Sequence, residues 1–225
     1  MIFVMVVLLT TAFSVNAQLN FGVKAGLNAS TITGIKDYMA EEIGDGTISS
    51  SYKPGVHIGA FAQYMFSQEV GIEGGLYYSM LGAKVESKAS FENYYLKATG
   101  TASPSYIQLP VSFLYKFNVG QDLQLYPSAG IYLGYGIGGK FKAELDTNVP
   151  AGLIDDDEFE YEMDYFGDDA GTNRFDMGLA LGFNLQYSKF IIGLGYDLGL
   201  TNIFKEVDDA SYKNGNVRIS LGYLF

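Results

Sequence analysis

His57 is the first residue to consider for chemistry, because it is the only histidine in the chain. A histidine that reaches a serine and a carboxylate can act as a general base, and such sites are recognised by geometry rather than by sequence order. No nucleophile elbow accompanies His57 in the sequence. A single histidine on the inner face of a strand usually makes a hydrogen bond. We therefore predict a structural role for it, no catalytic residue and no cofactor.

A second candidate group consists of charged residues that strand alternation places on one face together with His57. Charges of both signs inside a narrow barrel could line an ion path. The interior of an eight-stranded barrel, however, is just wide enough for its own side chains, and buried charges must pair. We therefore predict a salt-bridged plug rather than a pore. The predicted network comprises Lys24, His57, Glu73, Lys116, Arg174, Asp176, Asp197 and Arg218.

The acidic run DDDEFEYEMDY, residues 155–165, is the third candidate. Clustered carboxylates suit Ca²⁺, although the spacing matches no EF-hand loop, and a like-charged run is also typical of a solvated loop tip. From residue 158 the carboxylates alternate with apolar residues, which predicts a hairpin beyond the membrane whose apolar stripe docks a partner. All three interpretations stay open. The candidate docking residues are Asp155, Asp156, Asp157, Glu158, Phe159, Tyr161 and Tyr165.

The composition favours strands and turns over helices. The 225 residues include 28 Gly, 18 Tyr and 16 Phe, with no Cys and no Trp. Without cysteine the chain has no disulfide, no thiol nucleophile and no lipid-anchor cysteine. The formal net charge of −11 argues against a nucleic-acid partner, because phosphate binding needs clustered Lys and Arg.

The last nine residues, VRISLGYLF, show the strand pattern most clearly, because their apolar residues recur at every second position. Leu224 departs from the pattern, since it falls on the polar phase. A strand that ends the chain on an aromatic residue is similar to the terminal strand by which outer-membrane barrels are recognised and closed. We therefore expect the barrel-assembly machinery to be a partner during insertion. The predicted C-terminal signal is Leu221, Tyr223 and Phe225.

Eight alternating segments follow the N-terminal region, and the connections between them alternate long and short. Outer-membrane barrels have short periplasmic turns, long extracellular loops and both termini in the periplasm. The sequence therefore predicts an all-β fold, an eight-stranded antiparallel up-and-down transmembrane β-barrel. The predicted strands are 20–30, 54–66, 69–86, 104–117, 122–142, 173–187, 190–203 and 217–225.

The apolar residues fall on one phase of these strands and Gly or polar residues on the other. In the seventh strand, Leu194 shares a face with other large apolar residues, whereas Asp197 lies on the opposite face. An apolar exterior over a Gly-rich, charged interior is what a bilayer requires, so we expect outer-membrane lipid to surround the barrel. Pro110 has no N–H for the ladder, which predicts a bulge. The predicted interfacial aromatic residues are Tyr64, Phe66, Phe117, Tyr187 and Tyr223.

Residues 1–17 differ from the rest of the chain. Residues 1–9 are all apolar, and Val15-Asn16-Ala17 places small residues at a cleavage position, which predicts a signal peptide removed before Gln18. The n-region carries no Lys or Arg. About 15 apolar residues fall short of the ~20 that span a bilayer. The predicted organisation is a signal peptide, 1–17, and an outer-membrane barrel domain, 18–225.

Several motifs resemble one known family. They are FGVKAGLN from residue 21, PGVHIGAF from 54, YYS from 77, GAK from 82, IQLP from 107, DLGLTNI from 197 and LGYLF from 221. Together they resemble the PorT-type outer-membrane β-barrel domain family of Gram-negative bacteria over essentially the whole mature chain. The resemblance implies an eight-stranded barrel and an integral outer-membrane address. The family's namesake belongs to a secretion and gliding apparatus, while most members resemble it only as barrels.

We therefore expect a non-enzymatic structural or interaction protein of the outer membrane. One form of this hypothesis is an accessory of a secretion or assembly complex. Its extracellular loops would dock a partner in the same membrane. The alternative is a small barrel enzyme or a narrow solute channel. An enzyme needs polar partners beside His57, and a channel needs a continuous water path.

Overall fold

The computed structural model describes residues 19–34, 47–91, 94–148, 158–167, 171–205 and 211–225. Within these ranges the chain forms eleven β-strands. No helix in the same ranges combines the length and the apolar composition needed to cross a bilayer. The strands are β1 (Leu19–Thr33), β2 (Thr47–Met65), β3 (Val70–Met80), β4 (Ala83–Phe91), β5 (Tyr94–Tyr115), β6 (Phe117–Asn118), β7 (Leu123–Thr147), β8 (Glu158–Asp164), β9 (Phe175–Tyr187), β10 (Phe190–Gly199) and β11 (Lys213–Leu224).

Eight of these strands close into an antiparallel ring, in the order β1–β2–β3–β5–β7–β9–β10–β11 and back to β1. The last strand closes the ring on the first over the register from Gly22↔Leu224 to Thr33↔Lys213. Closure removes the sheet edges and gives the ring's backbone groups partners without water. The predicted eight-stranded up-and-down barrel is confirmed.

The outer surface of the ring is apolar, as the alternation predicts. Leu194 is 54% exposed and Leu181 is 51% exposed, whereas Asp197 on the same strand as Leu194 is 4% exposed. An apolar surface that surrounds a whole barrel has no stable place in water. The ring is therefore shaped to stand in a bilayer, with its large apolar residues toward lipid.

Three ring strands continue past the ring at the end opposite Leu19 and Phe225. We call this the distal end, and the end that holds Leu19 and Phe225 the proximal end. There β4 lies between β2 and β5, and β8 lies beside β7, giving the order β2–β4–β5–β7–β8. We call this five-stranded extension the distal sheet. The sequence predicts polar connections for residues 87–103 and for the stretch before Lys53. This prediction is wrong for residues 47–52, 87–91 and 94–103, which pair as strands. These segments are rich in polar residues and so lack the apolar alternation by which the other strands were recognised.

The prolines disturb the ladders differently from the prediction. The expected bulge at Pro110 is wrong, because the register of β5 with β7 shifts between Ser105 and Tyr106. On the other side of Pro110, the pairing of β3 with β5 omits Gly75 and Leu76. The missing donor of this proline is thus accommodated by a local gap in one ladder and not by an extra residue.

Two apolar clusters close the interior, one at each end. Sequence reasoning predicted a Gly-rich and charged lumen, but large aromatic residues also point inward. Glycines make room for them: a Cβ on Gly22 would lie 2.5 Å from the Phe61 ring, and one on Gly136 would overlap Phe166. The proximal plug consists of Phe61, Tyr77, Leu114, Tyr126, Ile191 and Leu224. The distal plug consists of Ile32, Leu81, Ala83, Ala102, Tyr106, Tyr165, Phe166, Ile203 and Tyr212.

Candidate functional site

The lumen near the proximal plug is occupied by a connected set of charged and amide side chains. Lys24 forms a salt bridge of 2.5 Å with Glu73, and Gln63 donates to the same carboxylate over 2.8 Å. Lys116 donates to the amide oxygens of Gln63 and Gln186 at 2.9 and 3.0 Å. Charges in this layer are therefore either paired or solvated by amide oxygens, as burial requires.

The middle of the lumen contains His57, which is 3% exposed. Its Nδ1 lies 2.8 Å from the Asn28 Oδ1, and its Nε2 lies 2.9 Å from the Ser220 Oγ. The Asn28 amide donates to the carbonyl oxygens of Val56 and Met80. Since both N–H groups of Asn28 are used, its oxygen accepts from Nδ1–H. Nε2 is then left to accept from the Ser220 hydroxyl.

This order, serine to histidine to amide oxygen, is the order of a hydrolase triad. The two partners of His57 could not be chosen from sequence, because they lie on β1 and β11, far from it in the chain. The cavity beside Ser220 has a volume of about 50 Å³ and is also lined by Lys24 and Arg218. A space of this size has room for a few water molecules. It is too small for an ester substrate.

Two acidic residues complete the lumen. Asp197 pairs with Arg218 at 2.8 Å and accepts from Asn216 at 3.2 Å. Asp176 has no cationic partner among the described residues. It accepts from neutral donors instead, namely Tyr132, Asn214 and Thr201. Four of the predicted lumen residues thus form two salt bridges, Lys24–Glu73 and Asp197–Arg218. Neutral side chains hydrogen-bond His57, Lys116 and Asp176.

Arg174 departs from the predicted network. It precedes β9 at the rim of the barrel and is exposed. Its guanidinium donates to the carbonyl oxygens of Gly136 and Phe166 at 3.1 and 2.7 Å. Strand alternation was extended one residue too far at this point, because the chain enters β9 only at Phe175.

The neutral members of the lumen were missed by sequence reasoning, which considered only the charged residues on the inward phase. The signal was present, because each lies on the inner face of a ring strand. It was overlooked because amides and hydroxyls are common on polar strand faces. The missed residues are Asn28, Gln63, Tyr126, Tyr132, Asn214, Asn216 and Ser220.

The predicted docking residues that the structure describes lie at the distal end. Asp155, Asp156 and Asp157 lie outside the described residues, and the backbone of Glu158 and Phe159 belongs to β8. The predicted hairpin exists, since β8 pairs with β7 from Lys140↔Asp164 to Asp146↔Glu158. A calcium site at residues 155–157 therefore stays a prediction. Within the described ranges, no three His, Asp or Glu side chains converge on a metal position.

Tyr161 and Tyr165 have opposite environments. Tyr161 is 48% exposed, whereas Tyr165 is 4% exposed and packs edge-on against Phe166 in the distal plug. The prediction that Tyr165 belongs to a docking stripe is wrong. The alternation ends with β8 at Asp164, and the chain then turns toward the barrel mouth.

Ion pairs join the two strands of the hairpin on its charged face. Lys142 lies 2.9 Å from Glu162, and Lys140 lies 3.1 Å from Asp164 and 3.2 Å from Glu162. Hydrogen bonds from Lys142 and Lys140 lower the pKa of Glu162 below its ordinary value of 4.5. The hydrogen bond to Glu162 raises the pKa of Lys142 above its ordinary value of 10.5.

The C-terminal strand has the two faces that its sequence predicts. Leu221 is 66% exposed and Phe225 is 71% exposed. Leu224 is buried in the proximal plug, which explains why an apolar residue occupies the inward, otherwise polar phase. The Tyr223 ring packs against Phe190 with 5.3 Å between centroids. The other predicted interfacial aromatics are exposed near the same end of the ring, namely Tyr64, Phe66, Phe117 and Tyr187.

Comparison with solved structures finds barrels of low identity. The chain is similar to Ail, the attachment invasion locus protein of Yersinia pestis, with 15% identity over 92% of this chain and 99% of that one, at a TM-score of 0.39. It is similar to Neisserial surface protein A, with 11% identity over 91% and 97%, at 0.42. OprG from Pseudomonas aeruginosa shows 14% identity over 92% and 95%, at 0.40. No curated protein sequence matches the chain.

Residues 14–205 match the family described as the outer membrane protein beta-barrel domain. The match covers most of the chain and includes seven of the eight ring strands completely; β11 alone lies outside it. The chain belongs to this family. It is an integral β-barrel protein of the outer membrane.

Proposed function

We propose that this protein is a non-enzymatic interaction component of the outer membrane that docks a protein partner through its distal sheet. The observation that carries the proposal is the contrast within the molecule. The lumen is filled, with a plug at each end, whereas the distal sheet extends beyond the ring and exposes Tyr52, Tyr161 and Leu96 at 61%, 48% and 40%. Exposed aromatics on a rigid sheet are typical anchors of an interface.

The proposal includes an orientation. Leu19 and Phe225 lie at the proximal end. After removal of residues 1–17 this end would face the periplasm, and the distal sheet would face the exterior. The barrel-assembly machinery would act on β11, whose outer face carries Leu221 and Phe225. The resemblance to PorT-type barrels supports a role as an accessory of a secretion or assembly complex. The acidic composition supports a protein partner rather than nucleic acid.

Co-purification from mild detergent tests this function. The full protein should retain a partner, and the variant Tyr161→Ser with Glu160→Lys should lose it while still folding. Asp122→Lys is the matched control, because Asp122 is exposed in a proximal turn. Unchanged recovery of the partner with the distal variant, or a wild-type protein that recovers none, would contradict the proposal.

A second function has one observation in its favour, the chain of hydrogen bonds from Ser220 through His57 to Asn28. If the barrel were a serine hydrolase, a small fluorophosphonate would label Ser220, and His57→Ala would abolish labelling. The small volume beside Ser220 favours the structural role. We therefore expect no labelling of the folded protein. A solute channel is disfavoured by the two plugs.

A further inference from the structure

The distal sheet ends in β2 on one side and in β8 on the other, and among the described residues β8 has one unpaired side. In the described part of the chain, β8 pairs with β7 and with no other strand. A strand at the edge of a sheet presents backbone N–H and C=O groups that can pair with another extended segment. The ring, by contrast, is closed. Backbone pairing with a second chain is therefore possible at β8.

The charged face of the hairpin decides which segment fits this edge. Glu144 lies directly opposite Glu160, and Glu160 has its side chain 66% exposed. Like charges in this position are destabilising. On this face the described side chains include the carboxylates Glu144, Asp146, Glu160, Glu162 and Asp164 against the lysines Lys140 and Lys142, which is five negative against two positive charges. A strand added beside β8 would relieve the excess if it carried cations.

The opposite face of the hairpin is apolar. Met163 pairs with Phe141, and Tyr161 pairs with Ala143. Phe141 packs against the distal plug, while Tyr161 stays half-exposed on the outermost strand. Apolar residues on an added strand would cover Tyr161 and remove apolar area from water. Since strand residues alternate between faces, the fitting segment alternates cationic and apolar residues.

We infer that the free edge of β8 binds an extended polypeptide segment in which Lys or Arg alternates with apolar residues, as an added strand. This inference rests on the proposed docking function and specifies its partner. A second copy of this chain does not fit. Pairing β8 with the β8 of another copy would place the carboxylates of Glu160, Glu162 and Asp164 beside other carboxylates. Repulsion between the same negative charges disfavours edge-to-edge association of two copies.

The test uses the refolded full-length protein in detergent and synthetic peptides of about ten residues, long enough to cover an average strand. One peptide alternates Lys and Val. A second has the same composition with Lys and Val in separate blocks, and a third alternates Glu and Val. Only the alternating Lys–Val peptide should bind. At a concentration ten times its Kd, amide exchange in β8 should slow about tenfold.

Charge reversal locates the site. Glu160→Lys should weaken binding of the Lys–Val peptide by about fivefold, because an attractive cross-strand pair becomes a repulsive one. Asp122→Lys, with the same change in net charge at the proximal end, should bind as the wild type does. Gel migration before and after heating checks that each variant is folded. If Glu160→Lys does not fold, the amide exchange of the wild type still tests whether the peptide binds at β8.

Three results would overturn the inference: no binding of the alternating peptide, equal binding of the blocked peptide, or binding without slower exchange in β8. The proposed function would survive each of them if a partner still co-purifies with the wild type. A partner that is lost in the Tyr161 and Glu160 variant while no peptide binds would indicate docking by side chains alone. Failure of the inference and failure of the proposed function are thus distinguishable.

Discussion

The ring and the distal sheet share β2, β5 and β7 but have different surfaces. In the ring, the outer face is apolar and opposite charges pair in the lumen, as Lys24 and Glu73 do. In the distal sheet, charged residues lie on one face of the β7–β8 hairpin, and within the described residues β8 pairs on one side only. β7 takes part in both, and its pairing partner changes from β9 to β8 past Tyr135. One strand thus belongs both to the membrane-spanning ring and to the sheet beyond it.

The largest expected difference concerns ion pairs. Asp197→Leu should cost about 3–5 kcal/mol of unfolding free energy, because it leaves Arg218 charged and unpaired in the lumen. Glu162→Gln in the distal hairpin should leave the unfolding midpoint nearly unchanged, since its ion pairs are solvated. Urea unfolding in lipid vesicles, followed by gel migration, measures both. The double variant Asp197→Leu with Arg218→Met should regain most of the loss, and failure to do so would refute the pairing argument.

A second comparison places the same substitution in the two regions. Leu194 and Leu96 are both exposed, at 54% and 40%. Leu194→Arg faces lipid and should cost about 2–4 kcal/mol if it lies near the midplane. Leu96→Arg faces water and should change stability by less than about 0.5 kcal/mol. Equal costs for the two arginines would show that Leu96 is also in the bilayer, or that Leu194 is not.

The smallest effect is a pH dependence confined to the distal hairpin. The pKa of Glu162 is lowered by hydrogen bonds from Lys142 and Lys140. The ion pairs therefore contribute fully above the ordinary value of 4.5 and are lost as the pH falls through the lowered pKa. The raised pKa of Lys142 means that they are also lost as the pH rises beyond 10.5. The protection of the β8 amides, measured as their exchange rate relative to the intrinsic rate at each pH, should fall in acid while that of the β10 amides stays high.

The control for this prediction is the double variant Lys140→Gln with Lys142→Gln. Without the lysines, β8 exchange should be faster at neutral pH and should respond less to acid. A uniform loss of protection in β8 and β10 would mean that the two regions open as one unit.

The ring could be predicted from sequence because a bilayer imposes a strict alternation on every strand that crosses it. Leu194 and Leu181 both lie on the outer face, as this alternation predicts. Of the distal sheet only the β7–β8 hairpin was predicted. The pairing of β4 with β5 was not, because outside the bilayer polar residues such as Lys88 and Lys97 occur in strands as well as in loops. The lumen was predicted in part: its charges follow from phase, but their partners depend on register across the ring. Ser220 meets His57 only because β11 closes on β1.

β7 extends without interruption from Leu123 to Thr147, 25 residues, or about 80 Å of chain. It is hydrogen-bonded to β5 from Leu96↔Thr147 to Leu114↔Ser128, through both regions. A pull on a partner held at β8 would load these bonds along the strand axis. Bonds loaded in this direction share the force and must break together, whereas a peeled hairpin breaks them one at a time. The pairing of β7 with β5 is therefore suited to hold a mechanical load applied at the distal end.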